Sequence, residues 1–269
     1  MKPLFLLSGI GMIFVAIISV IYWKRKTKIS FTFFLLGALA WIIAVILKSI
    51  PALALPKDLR NLEAFKNLLP SYLSEPLAWI YIGILTGIFE CGMILLFLYV
   101  FKRLREQSWN EAVGLGLGFG AFEAFLVGVS AFIITLLAIL IPEQLPKELM
   151  GPPQLDIPLA IPAPIIERIS ALFTHIFSTV LVVFSFRTKE WKWFWLSFLY
   201  KTLVDSVAGA FHVSYGIENL TVHILYTLEA IFAFMAIVGI LGLWMMKKKW
   251  RERLEIEQIQ ISTTSDNNG

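Results

Sequence analysis

Ionisable side chains lie inside long apolar stretches of this 269-residue sequence. A charged group at the centre of a membrane-spanning helix costs about 2.5–3.5 kcal/mol on insertion scales, so such groups generally mark function. The set comprises carboxylates, one imidazole and one ammonium: Glu90, Glu123, His175, Lys201, Asp205 and Glu229. Carboxylate and imidazole ligands suit zinc or a similar divalent ion, which can polarise a carbonyl and activate water. The chemistry they indicate is peptide hydrolysis inside a membrane.

The same residue types also allow an interpretation without catalysis. Lys201 and Asp205 are four residues apart and share one helix face, so they could form a buried ion pair that neutralises itself. His175 and Ser178 share a face as well, and the imidazole could simply hydrogen-bond a neighbouring helix. Protons or Lys201 would then neutralise the carboxylates, and no chemistry would follow.

Seven apolar runs supply the helices that must position these groups, because a spanning helix needs about 20 mainly apolar residues. The runs are Leu4–Trp23, Ile29–Ile50, Leu77–Phe101, Val113–Ile141, Ile165–Phe186, Trp193–Val213 and Leu220–Met246. Counted from the span ends at about 1.5 Å per residue, the ionisable groups of spans three to seven fall in one layer near the midplane. The coincident depth on five helices predicts that these groups face one another.

The composition is that of a membrane protein, with 58% hydrophobic and only 16% charged residues. The net charge of +4 comes from short basic clusters between apolar runs, which is typical of membrane loops and not of nucleic-acid binding. Cys91 is the only cysteine, which excludes an intrachain disulfide and a zinc site built from several thiolates. The sequence predicts one all-α, polytopic helical domain over residues 1–254 and a disordered cytoplasmic tail over 255–269.

Orientation follows from the basic residues that flank the spans. The loops after the odd-numbered spans carry 15 lysines and arginines, whereas the opposite side carries 5. We therefore expect a protein of the cell membrane with its N-terminus outside and its C-terminus in the cytoplasm.

Two outer loops, Pro51–Pro76 and Pro142–Pro164, are long; the first could contain a short surface helix, and the prolines of the second exclude a regular helix.

Small residues precede two of the carboxylates. Gly83 and Gly87 come before Glu90, and four glycines precede Glu123 in span four: Gly114, Gly116, Gly118 and Gly120. Both sets remove side-chain bulk and predict that another helix approaches closely there. At the outer end of span five, Glu167 and Arg168 could reach the membrane interface by snorkelling, so they are supporting residues only.

Three sequence blocks resemble the YhfC family, which is grouped with PrsW and the CAAX prenyl proteases as intramembrane metalloproteases. The resemblance runs from about Gly83 to Glu229 and rests on the segments from Gly116 to Ala124, from Glu167 to Ser178 and from Leu203 to Asp205. It implies catalytic roles for Glu90 and Glu123 and metal binding by Glu123, His175 and Asp205. We expect five further residues to support this site: Lys201, Glu167, Arg168, Ser178 and Glu229.

Two positions depart from the family pattern. After Glu90 the sequence reads Cys-Gly-Met-Ile, without the second glutamate and the basic residue usual there, and Lys201 stands where a histidine usually begins the last motif. A protonated ammonium cannot ligate a metal. The resemblance implies an intramembrane peptidase with zinc or another divalent metal and a membrane-embedded peptide substrate, in an active or inactive form. The alternatives are a non-catalytic membrane binding or scaffold protein and a small transporter.

Overall fold

Long apolar segments fold here into helices because hydrocarbon requires every backbone N–H and C=O to be paired within the segment. The computed structural model describes residues 3–54, 71–146, 155–215 and 220–266. Within these ranges seven long helices occur in chain order: α1 (Leu6–Thr27), α2 (Thr32–Ala54), α3, α4 (Trp109–Leu140), α5 (Ala163–Thr188), α6 (Lys192–Tyr215) and α7 (Val222–Asp266). Helix α3 consists of Ser71–Thr86, a π-helical turn Gly87–Cys91, and Gly92–Val100.

The predicted fold class, an all-α polytopic membrane protein, is confirmed. Six of the seven helices are long and apolar enough to cross a membrane. Helix α6, the counterpart of the sixth predicted span, is 24 residues long but falls outside that group; its sequence carries Lys192, Lys201 and Asp205. The predicted N-out, C-in orientation is not determined by the helices themselves.

Local sequence signals explain where several helices begin and end. Ser108 and Glu111 form a capping box at the start of α4, in which each side chain pairs with the other residue's backbone N–H. Lys28 and Lys189 directly follow helices α1 and α5, and both adopt the left-handed conformation that ends a helix. A basic residue at a helix C-terminus also interacts favourably with the helix dipole.

Helix α5 is the central helix of the bundle. In the most apolar 18-residue stretch of α5, 83% is buried, whereas in the corresponding stretch of α1 only 17% is buried. This difference arises because α5 packs against α1, α4, α6 and α7. Helices α1 and α2 pack on α4, and α3 packs mainly on α6. The outer helices α1 and α7 direct large apolar side chains outward, where the bilayer would cover them. This arrangement places α5 against most of the helices that carry the ionisable residues.

Three predicted segments differ in extent or lie partly outside the described residues. Helices α2 and α3 extend into the predicted loop Pro51–Pro76, and residues 55–70 of that loop are outside the described ranges. In the loop Pro142–Pro164 the described residues include two short 3-10 turns, and residues 147–154 are outside them. Helix α7 continues to Asp266, beyond residue 255 where the sequence predicted a disordered tail. The division into a membrane domain and a cytoplasmic tail stays a prediction.

Candidate active site

A cavity of about 250 Å³ lined by several charged side chains lies among helices α2 to α7. Seven of the residues selected from the sequence line it: Glu90, Glu123, Glu167, Arg168, His175, Lys201 and Asp205. The side chains that the apolar runs place at one depth therefore also face one cavity. The structure brings these side chains together, whereas the roles assigned to them remain predictions.

Glu90 enters the cavity from the π-helical turn of α3. A π-turn inserts an extra residue into the helix, and such turns are frequent at functional sites. Gly87 faces α6 so closely that a Cβ atom there would lie 2.7 Å from Thr202 Oγ1. The small residue and the widened turn together let α3 and α6 approach and bring Glu90 next to Lys201.

Two ammonium groups from different helices hold Glu90. Lys48 Nζ of α2 lies 2.9 Å from Glu90 Oε1, and Lys201 Nζ of α6 lies 2.9 Å from Glu90 Oε2. Lys201 Nζ also lies 3.2 Å from Asp205 Oδ2. The side chains of Lys201 and Glu90 are 4% and 5% exposed. The Lys201–Asp205 pair expected from the sequence is therefore part of a larger network.

Lys48 was not among the residues selected from the sequence. It lies near the end of the second apolar run, and its helix carries no other ionisable side chain between Thr32 and Ile50 that would have indicated a shared face. The available signal was its own charge inside an apolar run. In α2 it shares a face with Trp41 and Val45, which also line the cavity.

Three neighbours fix the carboxylate of Glu123. His175 Nε2 lies 2.9 Å from Glu123 Oε2, and Trp41 Nε1 donates a hydrogen bond of 2.8 Å to the same oxygen. Arg168 Nη1 donates a bond of 2.6 Å to Oε1, and its Nη2 pairs with Glu167. Arg168 is only 8% exposed, so it turns inward to Glu123 instead of snorkelling to the interface as the sequence suggested.

The imidazole of His175 stands between two carboxylates. Its Nε2 faces Glu123, and its Nδ1 lies 3.7 Å from Glu90 Oε2. The ring packs 5.0 Å from that of Phe119. A Cβ atom on Gly120 would lie 3.1 Å from His175 Cβ, so glycine is what allows α4 and α5 to pack at this distance.

Two further predicted residues lie beside the cavity instead of lining it. Ser178 Oγ is 2.7 Å from Ser197 Oγ and 3.5 Å from the buried sulfur of Cys91. Glu229 is 4% exposed, and its Oε2 has no hydrogen-bond partner among the described residues. Ser178 thus joins helices α5 and α6 beside the cavity.

A comparison with known families covers most of the chain. The sequence profile described as YhfC intramembrane metalloprotease matches residues 11–227. The chain belongs to this family. No curated protein and no solved structure matches it. The resemblance seen in the three sequence blocks is therefore confirmed, and it extends over α1 and α2 as well.

The family description of this YhfC protein implies a metal ion, which would need several donor groups around one point. Among the described residues, no three His, Cys, Asp or Glu side chains are arranged to hold a metal ion. Glu123 and Glu90 approach His175 at different ring nitrogens, which point away from each other, so they do not converge on one ion. Asp205 is bound to Lys201. The described side chains that line the cavity do not fit a divalent ion.

The arrangement does provide the components of acid–base chemistry. A nucleophile or water needs a base oriented by a third group, and His175 beside Glu123 forms such a pair. Positive charge from Lys48, Lys201 and Arg168 surrounds the same cavity. Preorganised charges in a water-poor site stabilise a developing oxyanion far more strongly than they would in water.

Proposed function

We propose that this YhfC protein hydrolyses peptide bonds of membrane-embedded substrates in a cell membrane, with water activated at the Glu123–His175 pair. The family match supports a peptidase. The observation that carries the proposal is the 2.9 Å contact between His175 Nε2 and Glu123 Oε2 at the wall of a cavity that also contains three cationic side chains. A cavity of about 250 Å³ has room for several water molecules beside a peptide backbone.

The proposed steps use only the side chains of the cavity. Glu123, held by Arg168 and Trp41, accepts the Nε2–H of His175 and thereby fixes the tautomer of the ring. Nδ1 is then the nitrogen that takes a proton from water as the water attacks the carbonyl carbon. The same proton passes to the leaving amine when the C–N bond breaks. The ammonium of Lys201 supplies positive charge for the oxyanion.

Peptide cleavage by the purified full-length chain tests this proposal. We would incubate the protein in lipid nanodiscs with a library of synthetic transmembrane peptides and identify new termini by mass spectrometry. Glu123→Gln and His175→Ala should each reduce cleavage by about 10²–10⁴-fold, the usual contribution of a general acid–base group. Glu111→Gln on the same helix is the matched control, because glutamine can replace glutamate in the capping box.

Absence of cleavage by the unaltered chain, or cleavage that persists at full rate in both variants, would remove the peptidase assignment. Circular dichroism of each variant checks that the helices remain folded. Loss of activity with the helical signal retained then reports on chemistry and not on unfolding.

A non-catalytic peptide-binding protein is the second candidate, and the network around Glu90 favours it. Each oxygen of Glu90 lies 2.9 Å from an ammonium nitrogen, and a nearby positive charge makes a carboxylate a weaker base. In this case the same peptides would crosslink to cavity residues without being cut. Glu123→Gln would leave the crosslinking yield unchanged.

A further inference from the structure

The charges around the cavity nearly balance without a metal ion. Its lining contains four carboxylates, three cationic side chains and one imidazole. The four acids are Glu90, Glu123, Glu167 and Asp205, and the cations are Lys48, Arg168 and Lys201. Buried charges persist only when they are paired and hydrogen-bonded. With His175 neutral the lining has a single excess negative charge, and with His175 protonated it has none.

Each carboxylate near the ring is already occupied by a cation of the chain. The oxygens of Glu90 lie 2.9 Å from the two ammonium nitrogens, and Asp205 lies 3.2 Å from one of them. A metal ion bound to Glu90 at about 2.0–2.2 Å would lie next to an ammonium of like charge. Repulsion at such short range in a medium of low dielectric constant opposes that arrangement strongly.

The two lysines reach Glu90 from different helices. Lys48 extends from α2, on the face that also carries Trp41, whereas Lys201 extends from α6. Lys48 and Lys201 thereby link α2, α3 and α6 through one carboxylate. A divalent ion would perform the same structural task by joining ligands from several helices.

We infer that Lys48 and Lys201 together take the place of the divalent metal ion that the family description implies, and that this chain folds and holds its cavity without bound metal. The inference goes beyond the proposed hydrolysis and does not require it. It assigns Lys48, a residue outside the family motifs recognised in the sequence, as a positioning residue for Glu90. We base it on the short distances from the two ammonium nitrogens to the carboxylate oxygens of Glu90 and Asp205.

Metal content and stability of the unaltered full-length chain provide the first test. The protein would be purified in neutral detergent with a tag that does not bind metal, exposed to zinc chloride, desalted and measured by elemental analysis. We expect substoichiometric zinc and a thermal unfolding midpoint that neither zinc nor a chelator shifts. Stoichiometric zinc that disappears in His175→Ala, with a midpoint lowered by the chelator, would overturn the inference.

A charge-compensation series provides the second test and assigns the role of Lys48. Lys48→Met should lower the unfolding midpoint by several degrees because Glu90 loses a partner, and adding Glu90→Gln should restore much of that loss. Lys48→Met/Lys201→His removes both ammonium groups and adds an imidazole, so it should bind zinc more tightly than the unaltered chain. An unchanged midpoint in Lys48→Met would contradict the role of this lysine.

These measurements separate this inference from the proposed peptidase. A metal-free chain that cleaves no peptide removes the peptidase and leaves the lysine replacement intact. A chain that binds zinc stoichiometrically through His175 and cleaves peptides overturns the replacement and supports the peptidase. Cleavage that continues in the presence of a chelator supports both.

Discussion

A single ammonium group, that of Lys201, joins two carboxylates in the interior of the bundle. It lies 2.9 Å from Glu90 and 3.2 Å from Asp205, and its side chain is 4% exposed. In such surroundings the desolvation of each charge is costly, and only the mutual pairing offsets it. The network therefore contributes to the structure mainly by giving each of its charges a partner of opposite sign. Removal of one member should lower the free energy of unfolding by far more than any single pair contributes to it.

Replacement of Lys201 by methionine tests this argument at one residue. Lys201→Met leaves both acids short of a partner and should lower the free energy of unfolding by about 3–5 kcal/mol. The matched control is Lys192→Met on the same helix, where the lysine is 68% exposed and 2.7 Å from Glu190. An exposed pair contributes about 0–1 kcal/mol. Denaturant unfolding followed by circular dichroism gives both values, and equal losses would contradict the buried network.

The sequence predicts part of this site because charge in an apolar run is conspicuous. Glu90, Glu123, His175 and Asp205 are identified by their residue types and common depth. The partners of these groups could not be predicted, because depth along a helix says nothing about its rotation or its neighbours. Arg168 was assigned to the interface on this ground, yet it turns inward to Glu123, and the contact of Lys48 with Glu90 depends on how α2 packs.

Helix α4 packs closely between two partners because its glycines alternate in direction. Gly116 and Gly120 face α5 near His175, whereas Gly118 faces the backbone of Phe34 in α2. Small residues allow helix backbones to approach and gain dispersion contacts in a solvent that gives no hydrophobic driving force. Because these glycines have no side chain, α4 and α5 pack closely at the level where Glu123 contacts His175.

Addition of one methyl group should separate these helices. In Gly116→Ala the new Cβ would lie 2.8 Å from Ile176 Cα, which is backbone and cannot rotate away. We expect a loss of about 1–3 kcal/mol of stability from overpacking. Gly92→Ala in α3 is the control, because its Cβ would meet nothing within 4 Å. Alanine there should be neutral or stabilising by up to about 1 kcal/mol.

Chemical denaturation of the two alanine variants in the same detergent measures the difference. Similar stabilities for Gly116→Ala and Gly92→Ala would contradict the close packing of α4 on α5. A shift of α5 should also move His175 relative to Glu123, so peptide cleavage, where present, should fall in Gly116→Ala alone.

At the level of the elements, apolar length predicts the helices but not their irregularities. The seven apolar runs correspond to the seven helices within the described residues. The π-helical turn at Gly87–Cys91 has no signature in the hydrophobic pattern, because it depends on the tertiary fit of α3 against α6. Helix α6 is the least clear span, since the polar groups that line the cavity also reduce its hydropathy.

The basic ends of the helices meet at one end of the whole molecule. Trp23 Nε1 at the end of α1 donates a hydrogen bond of 3.0 Å to Asn110 O, and the ring of Trp250 in α7 lies 5.7 Å from that of Trp109. The guanidinium of Arg187 at the end of α5 stacks on the same Trp250 ring. The clusters counted from the sequence are therefore neighbours in space, which concentrates positive charge on one face of the membrane domain.

Labelling of introduced cysteines tests which side of the membrane that charged end occupies. The loop after α4 and the last part of α7 lie at opposite ends of the helical bundle. The only native thiol, that of Cys91, is 1% exposed and should therefore contribute little background labelling. Because basic loops remain in the cytoplasm, a membrane-impermeant maleimide should label Glu143→Cys in intact cells and Glu255→Cys only after permeabilisation. The reverse pattern would invert the proposed orientation. Labelling of both from outside would require an even number of spans between them and would exclude α5, α6 and α7 as three consecutive crossings.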